Sequence, residues 1–261
     1  MFKDLYENKG LIYDLAINDF KTKYAGSYLG MIWAFVQPII TILIYWLVFQ
    51  YGLRIGSPIE DVPYILWFIT GLIPWFFFSE AINAGMNSLL EYNYLVKKLV
   101  FKVSILPMVK IISSFFVHMV FLGFLLLVYS FYGRLFTINY LMVLYYCVAM
   151  CALIIGITYL VAATVVFFRD LGQIVNIILQ IGMWATPILW NYNIIPEQHM
   201  WIMKLNPMFY ITEGYRQAFI YGETGSILSI QTIYFWCVCL LFIFVGTYVF
   251  NKMSRHFSDV L

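Results

Sequence analysis

Charge is scarce in this sequence of 261 residues, with Asp, Glu, Lys and Arg together at 11%, against about 25% in soluble domains. That deficit excludes a water-soluble globule. Apolar residues reach 63% and the mean hydropathy is +0.86, which is more apolar surface than one core can hide from water. Catalytic signatures are missing too. There is no GxxxxGK[ST] phosphate loop, no HExxH and no GxSxG, so neither ATP hydrolysis nor zinc- or serine-based hydrolysis is predicted on this chain. Cys147, Cys151, Cys237 and Cys239 lie inside apolar runs without CxxC or zinc-like spacing and read as small apolar packers. His118, His199 and His256 are too far apart to form a metal site. No catalytic residue, metal or cofactor is therefore assigned, and no nucleic-acid partner. No cleavable leader is expected either, because Lys3, Asp4, Glu7 and Lys9 precede no long apolar run.

What the sequence does have is long apolar runs. A hydrocarbon core about 30 Å thick needs about 20 residues per helical span. Six stretches qualify, at 30–53, 63–88, 104–132, 138–168, 171–190 and 231–250. They are continuous rather than alternating, which predicts an all-α membrane protein and not a barrel. The 15 Lys and Arg residues set the orientation. With the N-terminus in the cytoplasm, only Arg54, Arg134, Lys204 and Arg216 fall outside, so both termini are expected to be cytoplasmic. Ahead of the spans, over 1–29, Tyr13, Ala16, Ile17, Phe20 and Tyr24 share one helical face and Asp14, Asn18 and Lys21 the other. This predicts an amphipathic helix at the cytoplasmic interface, serving either as an anchor or as a ramp for amphiphilic lipid.

Several spans carry polar stripes. Trp33, Gln37, Thr41 and Tyr45 step by four along the first span, which also contains Pro38. Gln173, Asn176, Gln180 and Trp184 share one face of the fifth. Such faces fit a helix–helix seam or a polar passage better than lipid. Glu80 lies well inside the second apolar run, where a bare carboxylate costs about 2.5–3.5 kcal/mol. Lys110 and His118 are its nearest partners by predicted depth. Between the second and third spans, Glu91–Ser104 mixes charges with Tyr92, Tyr94, Leu95, Leu99 and Phe101, predicting a short helix on the cytoplasmic surface. It either sets topology or docks a cytoplasmic partner. The segment 191–230 is too apolar for a free loop and too broken by Pro and Gly for a span. Two short helices, at 196–204 and 208–221, are predicted there.

Read in order, YAGSYLGMIWAFVQP (Tyr24–Pro38), GLIPWFF (Gly71–Phe77), Leu95–Pro107, Arg169-Asp170, TPILW (Thr186–Trp190) and KLNPMFYITEGYR (Lys204–Arg216) resemble the permease subunits of type-2 ABC exporters for lipid-linked polysaccharides. Among these the wall teichoic acid translocation permeases are the nearest resemblance. One departure is Lys102 after Phe101, where the family often has Pro. The resemblance implies a homodimer of six-span subunits joined to two ATPase subunits that bind ATP and Mg. It implies a coupling helix at about 91–103, with Glu91, Tyr92, Tyr94, Leu95, Lys97, Lys98 and Phe101 facing the ATPase. It implies outer gate helices at about 196–221, with Asn206, Pro207, Tyr210, Glu213, Tyr215 and Arg216. It further implies that a lipid-linked polymer moves through the dimer centre. The polar and aromatic stripes of Trp33, Gln37, Thr41, Tyr45, Gln173, Asn176, Gln180 and Trp184 are the expected lining, since ring faces stack on sugars and hydroxyls seek amides. Wall teichoic acid is the expected cargo, with O-antigen, capsular or rhamnose-rich glycans as alternatives. A side opening toward membrane lipid is expected between the first and fifth spans. Readings of another class, a membrane acyl or glycosyl transferase built on Glu80 and His118, or a channel, stay open at this point.

Overall fold

The structure is a computed structural model that describes residues 2–23, 28, 30–97, 102–222 and 229–260. Every regular element among these residues is helical. The main helices are α1 (Phe2–Glu7), α2 (Lys9–Thr22), α3 (Trp33–Trp46), α4 (Tyr64–Glu91), α5 (Asn93–Val96) and α6 (Ile105–Phe131). They continue as α7 (Tyr140–Val165), α8 (Leu171–Ala185), α9 (Met200–Lys204), α10 (Pro207–Arg216), α11 (Ile230–Met253) and α12 (Phe257–Val260).

Five of the six expected spans are long and apolar enough to cross a bilayer: Gly30–Gly52, Tyr64–Glu91, Ile105–Phe131, Tyr140–Val165 and Ile230–His256. The sixth departs from expectation. α8 has 15 residues, about 22 Å of helix, which is short of the hydrocarbon thickness. Its end is set by the sequence, because Pro187 disfavours helical backbone at the residue before it. Thr186 accordingly turns extended, at φ −86° and ψ 131°. The stretch Thr186–Leu189 then runs on as buried, non-helical chain.

α4 is the central post. In its most apolar window 78% of residues are buried, against 11% in the first span. α4 packs on α6, α7, α8 and α10, while α11 lies along α7. α7 and α11 approach to backbone contact at two glycines. A Cβ on Gly156 would sit 2.7 Å from the Ile243 nitrogen, and one on Gly246 would strike the Gly156 carbonyl. Small residues allow such close packing in lipid, where hydrophobic exclusion cannot drive helices together.

α2 does not merely float on the interface. Its buried residues are Ile12, Ala16 and Asp19, one face offset from the apolar stripe read in the sequence. Tyr13 and Phe20 meet the edge of Phe116 on α6, with ring centroids 6.2 Å apart in both pairs. Two short helices do lie in the 196–221 segment. Asn206 caps α10 by accepting from the Met208 N–H at 2.9 Å, and Pro207 follows at the first helical position, where its missing N–H costs nothing.

Candidate functional site

At the N-terminal end of the bundle, α2 brings buried charge to α4 and α6. The Lys110 Nζ donates to Asp19 Oδ1 at 2.6 Å and to Glu91 Oε2 at 2.5 Å. The Tyr92 hydroxyl donates to the same Asp19 oxygen at 2.7 Å, and Lys110 lies 5.0 Å from the Tyr92 ring centroid. Burial, then the bond to Asp19, push the Tyr92 phenol above its ordinary value of 10.0. Glu80 pairs with Lys23 at the end of α2. The expected partnership of Glu80 with Lys110 or His118 is therefore corrected. Depth along the spans brought those residues level, but α2 supplies nearer partners to both sides. Instead, His118 Nε2 bonds the Tyr215 hydroxyl at 3.1 Å, and its ring stacks on Phe77 at 4.7 Å. Its Nδ1 has no partner among the described residues.

Two cavities meet at this cluster. One, of about 530 Å³, is edged by Asp19, Asn83, Asn87, Glu91 and Lys110. The other, of about 200 Å³, reaches deeper, past Trp33, Gln37 and Thr41 to His118. Lys23, Glu80 and Ser114 line both. The first-span stripe thus faces a crevice between α3, α4 and α6. Its fourth member, Tyr45, packs edge-on against Phe68 of α4 at 6.4 Å instead.

None of the α8 amides lines either cavity. On α8 only Val175 and Leu179 are buried. Gln173, Asn176, Gln180 and Trp184 are all exposed, with Ile177 at their edge, and Ile174, Ile178 and Ile181 form a second exposed face. No side-chain partner takes up the three amides among the described residues. The two expected passage stripes therefore occupy separate surfaces of one chain.

At the opposite end of the bundle, Arg216 is 1% exposed. Its Nη1 donates to the Pro187 carbonyl at 2.7 Å and to Glu213 Oε1 at 2.5 Å. Its Nη2 donates to the Ile188 carbonyl at 3.1 Å, and its Nε to the Trp67 carbonyl at 3.3 Å. Gly71 makes room for it, because a Cβ there would sit 2.7 Å from Nη2. Asn206 adds a bond from Nδ2 to Thr186 Oγ1 at 2.8 Å. Three separated motifs, Gly71–Phe77, Thr186–Trp190 and Lys204–Arg216, converge on this knot. Of the expected gate residues, Tyr210, Tyr215 and Arg216 are buried, while Asn206, Pro207 and Glu213 are half-buried.

The expected coupling helix is short. α5 covers Asn93–Val96, and Lys98 and Phe101 lie outside the described residues. Glu91 closes α4 and reaches back to Lys110, so it is turned toward the bundle. Tyr92 and Leu95 pack against a buried cluster that includes Leu106 and Phe250. Tyr94, 56% exposed, and Lys97, also exposed, are the two that face outward. Asp19, Lys23 and Trp67 belong to these sites without having been singled out in the sequence. Only Asp19 gave a signal there, as a charge within two turns of an apolar stripe.

A family model described as ABC-2 type transporter matches residues 11–220. The O-antigen export system permease protein RfbA of Myxococcus xanthus is 28% identical over 261 residues, covering 99% of this chain and 98% of its own. The protein of the same name from Klebsiella pneumoniae is 26% identical over 259 residues, covering 97% of each. The polysialic acid transport protein KpsM of Escherichia coli is 22% identical over 239 residues, covering 90% of each.

Proposed function

Because this chain belongs to the ABC-2 type transporter family, we propose that it is the membrane subunit of an ATP-driven exporter of lipid-linked cell-surface polysaccharide. The observation that carries the reading is α8. Three amides and a Trp form a stripe that none of the described residues covers, on a helix otherwise clad in Ile. Amides facing acyl chains forfeit their hydrogen bonds, whereas a hydrated glycan chain offers hydroxyls to amides and ring faces to Trp. A second copy presenting the same stripe makes a polar passage between two protomers, with the lipid anchor left in the membrane through a side opening.

Energy enters from elsewhere. The chain is read as a permease without its own ATPase site, working as a homodimer with two ATPase subunits that bind ATP and Mg. Tyr94 and Lys97 are the residues placed to meet them. The Lys and Arg distribution supports a bacterial plasma membrane with both termini cytoplasmic. For the cargo, the relatives favour the alternative over wall teichoic acid. Their names specify O-antigen and polysialic acid, so an O-antigen or capsular type of glycan is proposed.

The test is reconstitution with an ATPase subunit from the same organism in vesicles carrying lipid-linked glycans. ATP-dependent appearance of O-antigen or capsular glycan at the far face, read by lectin binding, is expected. Movement of only polyol-phosphate polymers would return the cargo to teichoic acid. Glycan transfer or acyl transfer by the isolated chain would replace the reading by an enzyme.

A further inference from the structure

A separate cavity of about 320 Å³ lies between α9, α10 and the neighbouring ends of α7 and α11, at the lower end of the range for small-ligand sites. It shares no lining residue with the α2–α4–α6 crevice, and no residue of the α8 stripe lines it. Tyr146, Tyr192, Phe209 and Tyr210 form its aromatic wall. Lys204, Glu213, Gln217 and Gln231 supply its polar groups.

Wall and polar groups are built differently. The wall is locked. Tyr146 meets Tyr210 edge-on at 5.4 Å, and Tyr192 meets Phe209 at 5.4 Å. The Tyr210 hydroxyl sits 3.0 Å from that of Tyr145 and 3.1 Å from Thr232 Oγ1. The Trp236 Nε1 in turn donates to Tyr145 at 3.0 Å. The polar groups are open. Among the described residues, nothing takes up the amides of Gln217 and Gln231 or the Lys204 ammonium. Glu213 is engaged, its charge balanced by Arg216 at 2.5 Å, and so is the lining Ser229, whose hydroxyl accepts from the Thr232 N–H at 3.3 Å.

This combination selects a ligand class. An apolar molecule would cover both amides without satisfying them, which is costly. A small ion has no use for four rings. A ligand with an apolar ring face and a girdle of hydroxyls fits what is present, because Tyr192 is the half-exposed ring of a wall whose other rings are buried behind it, each amide both donates and accepts, and the rigid rings lose little entropy on contact. We propose that this cavity is a saccharide-binding site inside a single protomer, holding one pyranose unit of the exported glycan at the membrane face opposite the N-terminus. The source of the ligand rests on the polysaccharide-export reading; the class of ligand rests on the cavity. Occupancy there would hold an emerging chain between strokes and oppose its return.

The experiment uses the full chain in lipid nanodiscs and methyl glycosides of glucose, galactose, mannose, rhamnose and N-acetylglucosamine, read by saturation-transfer NMR. Transfer to ring protons of at least one glycoside is expected. Gln217→Ala with Gln231→Ala weakens that binding about tenfold, and Leu127→Ala on the exposed face of α6 leaves it unchanged. Both glutamines are half-exposed, so the double variant should fold. If thermal unfolding says otherwise, each single variant is read instead, with a loss of about threefold. No binding of any glycoside, or binding indifferent to the glutamines, overturns the site. Export by the complete transporter is scored separately. Glutamine-sensitive binding without ATP-dependent export would sink the export reading and leave the cavity's ligand class standing. Export without such binding would do the reverse.

Discussion

The guanidinium of Arg216 lies over the ring of Trp67, its central carbon 3.6 Å from the ring centroid. The two residues are 149 apart in sequence, and their contact ties α10 to α4. The same guanidinium also holds the extended chain after α8 through the Pro187 and Ile188 carbonyls. A planar fork with five donors can serve these directions at once; a lysine ammonium cannot. Arg216→Met leaves Glu213 and three carbonyls without their donor, and should cost about 3–5 kcal/mol. Arg216→Lys should recover only a minor part. Thermal unfolding in detergent measures both, and wild-type stability in Arg216→Met would remove the knot from the account of this fold.

Asp19 and Lys110 form a second long-range tie, with side chains 6% and 10% exposed. Lys110→Met strips the partner from both Asp19 and Glu91, whereas Asp19→Asn leaves Lys110 its bond to Glu91. The lysine variant should therefore be the more destabilised, and a double-mutant cycle should return a coupling of about 1–3 kcal/mol. The Lys23–Glu80 pair is 35% and 44% exposed, and breaking it should cost less than about 1 kcal/mol.

Tyr92 gives the same tie a pH signature. Its phenol is raised in the folded state by burial and by Asp19. The neutral form is therefore the one that folding favours. Its contribution is complete below about 10, the unfolded phenol's value, and is lost as pH climbs through the higher folded one. Tyr92→Phe should lower stability at neutral pH and flatten its fall in alkali, as followed by denaturation between neutral and alkaline pH.

The helical class and the limits of five spans were legible from apolar run length, because lipid allows few ways to bury a backbone. The first span, Gly30–Gly52, and α4, α6, α7 and α11 begin and end within a few residues of the sequence reading. The remaining one, α8, was not. Its apolar run extends to Trp190, and only the backbone restriction imposed by Pro187 separates helix from buried extended chain. The charge pairs were misread for a different reason. Periodicity assigns residues to faces of one helix, and says nothing about which other helix docks there. Lys23 reaches Glu80 across 57 residues, through the packing of α2 on α6. In the same way, periodicity gave the stripes of α3 and α8 no distinction, yet α3 packs beside α6 through Phe35 and Phe121 and α8 does not.

The two exposed faces of α8 should behave differently. Replacing the four native cysteines and introducing Asn176→Cys or Gln180→Cys should give disulfide-linked dimers on mild oxidation in membranes. Ile174→Cys and Ile178→Cys, on the other face, should stay monomeric and react with a lipid-phase maleimide. Equal cross-linking from both faces, or none from either, would detach the amide stripe from the proposed passage.

The segment after α4 separates docking from folding most sharply. Tyr94 is 56% exposed and Lys97 is exposed beside it, so Tyr94→Asp with Lys97→Glu removes an aromatic and reverses a charge without opening the bundle. Surface changes of this kind usually stay within about 0.5 kcal/mol, so the unfolding temperature should hold while the ATPase subunit no longer co-purifies. Leu95 packs inward on the cluster with Leu106 and Phe250, and Leu95→Asp buries an unpaired charge. It should lower the unfolding temperature whether or not the ATPase is present. Co-purification that survives the outward pair would move the docking surface off the Tyr94 and Lys97 side chains, which are exposed there.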